Sequence, residues 1–296
     1  MNSSEGPLSF DMPYGSERAL AFGTSAVASS HAHASQVALR VLQDGGNAVD
    51  AAIAAAATLT VVEPTMNGLG GDLFALVWDG ERLHGLNASG RSPRAWSLER
   101  FAGLTSMPEL GWDAVTVPGA VSGWALLQER FATRSLADLV APAVSYANDG
   151  FIVTPKVATL WAEAAARFGE FAEFRRVFLP NGAAPAAGSL FKLPDAADTL
   201  CDIGESAGES FYRGALAKRI AASARAQGGV LDEEDLALHR ANWELPLAAE
   251  YAGVCLHELP PNGQGLASLL ALSILSELRL ERFGPDDADS IHLQIE

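Results

Sequence analysis

Apolar and polar positions divide the chain into extended and helical stretches. Residues 21–29 alternate small and apolar side chains, the pattern of a first strand, and a helix is predicted from about His33 to Asp44. Gly45 and Gly46 close that helix, because glycine tolerates the left-handed backbone of a helix end. Asn47 is the expected N-cap of a second helix running to about Val62, with Asp50 placed where a carboxylate suits the positive helix end. This second helix is apolar on nearly every face, so burial on all sides is expected. Leu73 to Trp78 and Arg82 to Asn87 flank Asp79-Gly80, a two-residue hairpin signal. Further strands are predicted at Val115 to Pro118, 243–250 and 253–259. Further helices are predicted at Gly119 to Phe131, Ser135 to Asn148, most of 155–178, 195–203, 214–227 and, short and capped, 231–236. PPNGQG (260–265) opens a long apolar helix reaching about Leu280. Interleaved strands, hairpins and helices without an internal repeat describe one mixed α+β domain over residues 19–296, preceded by a poorly patterned arm at 1–18.

The C-terminal pattern is different in kind. Gly284 and Pro285 break the chain, Asp289 or Ser290 offers an N-cap, and the sequence stops about one turn into a new helix. The reading taken from this is a fragment, or one subunit, of a longer chain.

Composition narrows the classes of function. The chain has 296 residues, and 49% hydrophobic against 19% charged residues excludes global disorder. A net charge of −16 opposes nonspecific binding to nucleic acid or anionic lipid, which needs clustered Lys and Arg. The longest apolar run, Ala48 to Val62, is shorter than the roughly 20 residues of a membrane span. The first residues show no basic segment followed by an apolar one, so the cytoplasm is the default location, and the periplasm the alternative if this start is not the native one. Two cysteines, Cys201 and Cys255, make no disulfide scaffold and are expected to be inert buried thiols.

Most candidate chemistry has a plainer explanation. NGLGGD (67–72) lacks the order of a dinucleotide fingerprint and follows a helix rather than a strand, so its glycines are expected to serve close backbone approach. His31 and His33 would share a face on a strand, but no further ligands cluster with them, and a helix-start position explains them better than a metal. A Ser-His-Asp triad could assemble in space, although no G-x-S-x-G elbow exists. Arg91 stands apart: it sits in a Gly/Ser/Pro turn after the hairpin, and its rigid fork suits a carboxylate. Arg94 competes for the same role, and a structural salt bridge is the alternative for either.

The assembled motifs resemble the γ-glutamyltransferase family of the N-terminal-nucleophile hydrolase superfamily. They are GGNAVDAAIAAAATLTVVEPTMNGLGGDLFALVWDG (45–80), VPGAVSGW (117–124), LVAPAVSYANDGF (139–151), FYRGALAKRIA (211–221), GGVLDEEDLALHRANW (228–243) and PPNGQG (260–265), in order over roughly residues 20–296. The resemblance implies an αββα sandwich, incomplete in this chain, made as a precursor that cuts itself before a threonine. The new N-terminal threonine then attacks the γ-glutamyl carbonyl, with its own amine as base, and water or an acceptor amine resolves the acyl-enzyme. Glutathione is the usual donor, no cofactor or metal is needed, and the small C-terminal subunit of the same precursor is the partner. None of the internal threonines stands in the matching context, so the nucleophile is expected beyond Glu296, with no catalytic residue in this chain and no activity of the chain alone. The family's substrate arginine lies four residues before a proline, in R-E-x-A-P. Here Ser89 holds that position, and Arg91 lies two residues before Pro93, nearest to the S-G-R-A-P of some bacterial members. Arg91 is therefore the expected substrate-binding residue. An acylase of the same fold, taking glutaryl or cephalosporin-type amides, and a non-catalytic scaffold half are the alternatives.

Overall fold

The computed structural model describes residues 22–284 and 286–296, with the backbone alone at position 281. The predicted arm at 1–18 lies outside the described residues. The predicted strand at 21–29 does not form over its described part, 22–29, where small and serine-rich residues find no partner strand.

Two helices open the fold. α1 (Ala32–Gln43) is capped by His31, whose ring accepts from the His33 N–H at 3.2 Å. α2 (Ala48–Val62) starts in a full capping box: the Asn47 side chain accepts from the Val49 and Asp50 N–H groups, and Asp50 accepts from the Asn47 N–H at 2.8 Å. Alanines on both helices let α1 lie close on α2, burying Ala34, Ala38, Ala51 and Ala54. α2 is buried on most but not all sides. Ala52 is exposed and Ala56 and Thr60 are half-buried, a stripe four residues apart that lines a cavity of about 460 Å³ with Met66 and Phe74.

The expected hairpin follows as β1 (Leu73–Trp78) and β2 (Leu83–Ala88), antiparallel, with Leu73 opposite Ala88 and Trp78 opposite Leu83. β1 alternates strictly. Its outward residues Phe74, Leu76 and Trp78 are exposed although apolar, while Leu86 and Ala88 of β2 are buried. Val115 to Pro118 is extended but joins no sheet: its neighbour is the Arg91 turn, which offers one bond, from Val117 N–H to the Arg91 carbonyl at 3.0 Å.

A helical layer follows, in which α3 (Ala120–Phe131) packs on this hairpin with Gly123 against Leu73 and Ala88. α4 (Leu136–Asp149), α5 (Pro155–Phe168) and α6 (Ala172–Phe178) come next in sequence, a short ladder of β3 (Phe151–Ile152) and β4 (Leu190–Phe191) interrupting them. The single helical stretch predicted for 155–178 is thus two helices, parted at residues 169–171. Trp124 of α3 and Trp161 of α5 anchor the core, each only 1% exposed, with α2 packed on α4 and α4 on α7 (Pro194–Glu205). α8 (Glu209–Arg213) was not predicted; α9 (Ala215–Ala226) and α10 (Glu233–Leu238) were.

β5 (Asn242–Glu244) extends the first sheet, in the order β1-β2-β5, all antiparallel. β6 (Leu247–Tyr251) and β7 (Val254–Glu258) form a separate hairpin, with α11 (Gly265–Glu277) resting on it. α11 ends three residues before the predicted Leu280, and α12 (Ala288–Ile295) starts after Asp287, earlier than the predicted caps. Neither cysteine is buried. Cys201 lies on the exposed side of α7, and Cys255 on β7, whose residues 254–257 are uncovered. Among the described residues no helix is long and apolar enough to cross a membrane.

Candidate active-site region

The site is built where two loops cross at backbone distance. The chain leaving β2 passes so close to residues 117–119 that a methyl group on Gly90 would overlap the Val117 carbonyl, and one on Gly119 the Ala88 carbonyl. Only glycine fits at either position. In 68–71, by contrast, Gly68 and Gly70 meet open space or ordinary contacts, and only Gly71 is close, a methyl there lying 3.3 Å from the Gly68 carbonyl. The close backbone approach expected of that loop is met at Gly71, and the tighter approach lies one loop away. What residues 67–72 do supply is the Gly71 carbonyl, which accepts from the Gly119 and Ala120 N–H groups at 2.9 and 3.0 Å and satisfies the start of α3.

The crossing sets out Arg91 and Arg94 very differently. Arg94 is pinned: its backbone N–H and Nε both donate to Asp235 Oδ1 at 3.0 Å, and its Nη2 reaches Glu234 at 2.8 Å and Asp232 at 3.5 Å. These carboxylates hold its guanidinium well above the ordinary arginine range. Asp235 is itself buried and fixed in the capping box of α10 with Asp232. Arg94 is thus the structural salt bridge. The Arg91 guanidinium is exposed, and among the described residues it makes no hydrogen bond or ion pair. It lines a cavity of about 350 Å³ together with His239, Arg240 and Asn242. No threonine lines this cavity.

Behind the cavity lies a buried polar network that the sequence did not disclose. His239 stacks on Tyr212 at 5.2 Å, and its Nε2 is 2.8 Å from Ser122 Oγ. The Tyr212 hydroxyl donates to the Pro118 carbonyl at 2.8 Å and accepts from the Ser122 N–H at 3.0 Å. The Ser122 hydroxyl donates to the Gly119 carbonyl at 2.7 Å, which leaves the His239 ring to donate its Nε2–H to Ser122. Burial, aided by Arg240, Arg91 and Arg213, pushes His239 down to about 4, so the ring is neutral at physiological pH. Burial pushes the Tyr212 phenol up to about 12. Ser122 and His239 do meet, but as a fixed network: the histidine is a donor there, not a base, and no carboxylate orients it.

On the other side, Asn262 of the PPNGQG loop donates to Ser89 Oγ at 2.6 Å, and Asn87 bonds both Asn262 at 3.0 Å and Ser89 at 2.8 Å. Ser89, at the aligned position of the family's arginine, is therefore engaged in a neutral polar cluster. The earlier histidines have a structural role. His31 caps α1, its pKa lowered by burial and by His33 against the pull of Glu63, and Glu63 accepts from Ser30 at 2.5 Å and Asn67 at 2.9 Å. Among the described residues no group of three or more His, Cys, Asp or Glu is arranged to hold a metal ion.

Comparison with solved structures places the fold among N-terminal-nucleophile hydrolases, as expected from the sequence. Cephalosporin acylase from Bacillus halodurans superposes with a TM-score of 0.87 at 42% identity, over 98% of this chain and 56% of that one. The γ-glutamyltranspeptidase of Helicobacter pylori superposes with a TM-score of 0.89 at 27% identity, over 94% and 82%. The γ-glutamyltranspeptidase family model matches residues 34–296, and the chain belongs to that family. Among curated relatives, an oxamate amidohydrolase proenzyme of Klebsiella pneumoniae is 40% identical over 90% of this chain, and a glutathione hydrolase-like proenzyme, YwrD of Bacillus subtilis, 35% identical over 91%. The chain spans about half the length of these relatives, 51% and 52%.

Proposed function

We propose that this chain supplies the acyl-recognition side of an enzyme that cleaves amides whose acyl group carries a carboxylate. The observation that carries this reading is Arg91: a guanidinium with no partner among the described residues, facing a cavity beside the one charged cluster that neutralises its neighbour Arg94. A carboxylate entering there gains a bidentate, charge-assisted pair. In this reading the nucleophile is a threonine outside these 296 residues, supplied by the small-subunit part of the same precursor. It attacks the acyl carbonyl, its amine takes the proton, the amide nitrogen leaves protonated, and water or an amine releases the acyl group. This chain holds the acyl group in register for that attack.

γ-Glutamyl amides, glutathione first among them, are the donors the family membership suggests. A second reading is favoured by one observation. The acidic side chain lining the cavity, Asp235, is consumed by Arg94, so no free carboxylate lines it to receive the α-ammonium group of a glutamyl donor. That suits an acyl group with a carboxylate and no ammonium, such as glutaryl or oxalyl.

The test is Arg91→Ala in the full-length protein, assayed with γ-glutamyl, glutaryl and butyryl p-nitroanilides. Loss of even one charge-assisted hydrogen bond, about 1.5–3 kcal/mol, predicts a fall of roughly 10- to 150-fold or more in kcat/KM for the carboxylated donors and none for butyryl. Unchanged turnover of both carboxylated donors would overturn the proposal. The ratio of γ-glutamyl to glutaryl turnover in the unaltered protein decides between the two readings.

A further inference from the structure

The cavity that exposes Arg91 is also walled by Arg240, a residue that no sequence motif singled out. Arg240 follows α10 and is exposed. Its Nη1 donates to the carbonyls of Ala237 and His239 at 2.8 and 2.6 Å, and among the described residues it forms no ion pair. Two of its donors therefore close the end of α10, while Nε and Nη2 remain available. The rest of the wall removes alternatives for those donors. Asp235 Oδ1 is taken by Arg94, and Oδ2 by the Asp232 N–H at 3.2 Å. His239 adjoins Arg240 in sequence, and both arginines act on its ring as positive charges. Glu209, in the neighbouring cavity that Arg240 also borders, is paired with Arg213.

We infer that Arg240 is a second carboxylate-binding residue, which together with Arg91 grips the anionic end of the acyl group and sets the enzyme's preference for carboxylated donors. The inference rests on the proposed reading of the Arg91 cavity and adds a residue to it. Neither guanidinium is ion-paired among the described residues, and a carboxylate entering the cavity that both line would gain hydrogen bonds from each. A neutral His239 keeps the cavity's charge with the two arginines and offers no competing cation.

The experiment measures glutarate binding to the full-length protein by calorimetry, with butyrate as the single-carboxylate control, alongside KM and kcat for glutaryl and γ-glutamyl p-nitroanilides. Arg240→Gln is expected to weaken glutarate binding tenfold or more and to raise KM with kcat little changed, and Arg240→Lys to recover part of the loss. If Arg240 serves only to close α10, Arg240→Gln lowers Tm while the glutarate Kd and KM stay as they were, and the inference is overturned. Should Arg240→Gln fail to fold, Leu238→Glu provides the second variant. Leu238 is 60% exposed in the same wall, so a carboxylate there competes for the arginines without disturbing the core. It is expected to weaken glutarate by a similar factor, and an unchanged Kd would overturn the inference. Glutarate binding that depends on Arg240 in a protein that turns over neither amide would sink the proposed function and leave Arg240 as a carboxylate-binding residue without a role in donor preference.

Discussion

Asp50 offers the sharpest quantitative test of how this fold is held. Its side chain is fully buried, yet every lone-pair direction is used. Oδ1 accepts from the Thr133 and Arg134 N–H groups at 2.9 and 3.2 Å, and Oδ2 from the Asn47 N–H at 2.8 Å and the Thr133 hydroxyl at 2.6 Å. One carboxylate thus fastens the start of α2 to the turn between α3 and α4. Burial by itself would raise its pKa, but the bonds from Thr133, Asn47 and Arg134 outweigh it and hold the carboxyl below the ordinary range. Asp50→Asn keeps the shape and removes the charge. Whichever way the amide turns, its NH₂ faces at least one backbone N–H, leaving a buried donor unpaired at about 1–3 kcal/mol. The remaining bonds fall from charge-assisted to neutral strength, so the total loss at pH 7 is about 3–5 kcal/mol. At about 2–4 °C per kcal/mol this lowers Tm by roughly 6–20 °C, read by circular dichroism at 222 nm. The pH dependence has a definite sign. A depressed folded pKa means that the stabilisation is complete above the unfolded value of about 3.9 and is lost as pH falls through the folded value. The difference between the two proteins should therefore be constant from pH 7 to about 5 and narrow in stronger acid. A loss below about 1 kcal/mol at pH 7, or a gap that stays constant into acid, would refute the reasoning.

Two further predictions use the same melts and a thiol assay. Gly90→Ala drives a methyl group into the Val117 backbone, where no side chain can give way, and should cost about 3 kcal/mol or more; Gly70→Ala, in open space, should stay within about 0.5 kcal/mol. Equal melting temperatures for the pair would contradict the crossing of the two loops. Cys201 is exposed on α7 and should react with a disulfide reagent in the native protein, so that Cys201→Ser removes one fast-reacting equivalent; no change in the fast phase would show the thiol to be buried.

Local signals in the sequence carried much of this fold. Asn47, Ser135 and Asp232 each cap the helix that their position announces, because a cap is decided by a side chain and the three residues after it. The hairpin at Asp79-Gly80 is local for the same reason. α8 escaped notice because five residues hold less than two turns of periodicity, and its start is set by Gly208 in the left-handed region rather than by a capping side chain. The cysteines were misplaced because apolar neighbours in sequence imply burial only if another layer covers them, and residues 254–257 lie uncovered. The turn and the family pattern singled out Arg91 as the expected substrate-binding residue, and the structure shows it exposed and lining a cavity. The distinction between Arg91 and Arg94 was not legible, since it depends on Asp235, which is 141 residues away. The Ser122, Tyr212 and His239 network was hidden for the same reason: its members lie 90 and 117 residues apart.

That separation also gives the cavity a history. Arg94 and Asp235 must both exist before the Arg91 turn is pinned, and a ribosome adding about 5–20 residues per second needs roughly 7–30 s to travel from one to the other. During that interval the residues of α1, α2 and the first hairpin have already been synthesised, and the loop bearing Arg91 gains its crossing partner at residues 117–119 well before Asp235. The cavity wall of Arg91, Arg94 and Arg240 is completed only when α10 has been made, so a nascent chain carries the Arg91 loop unclamped until then.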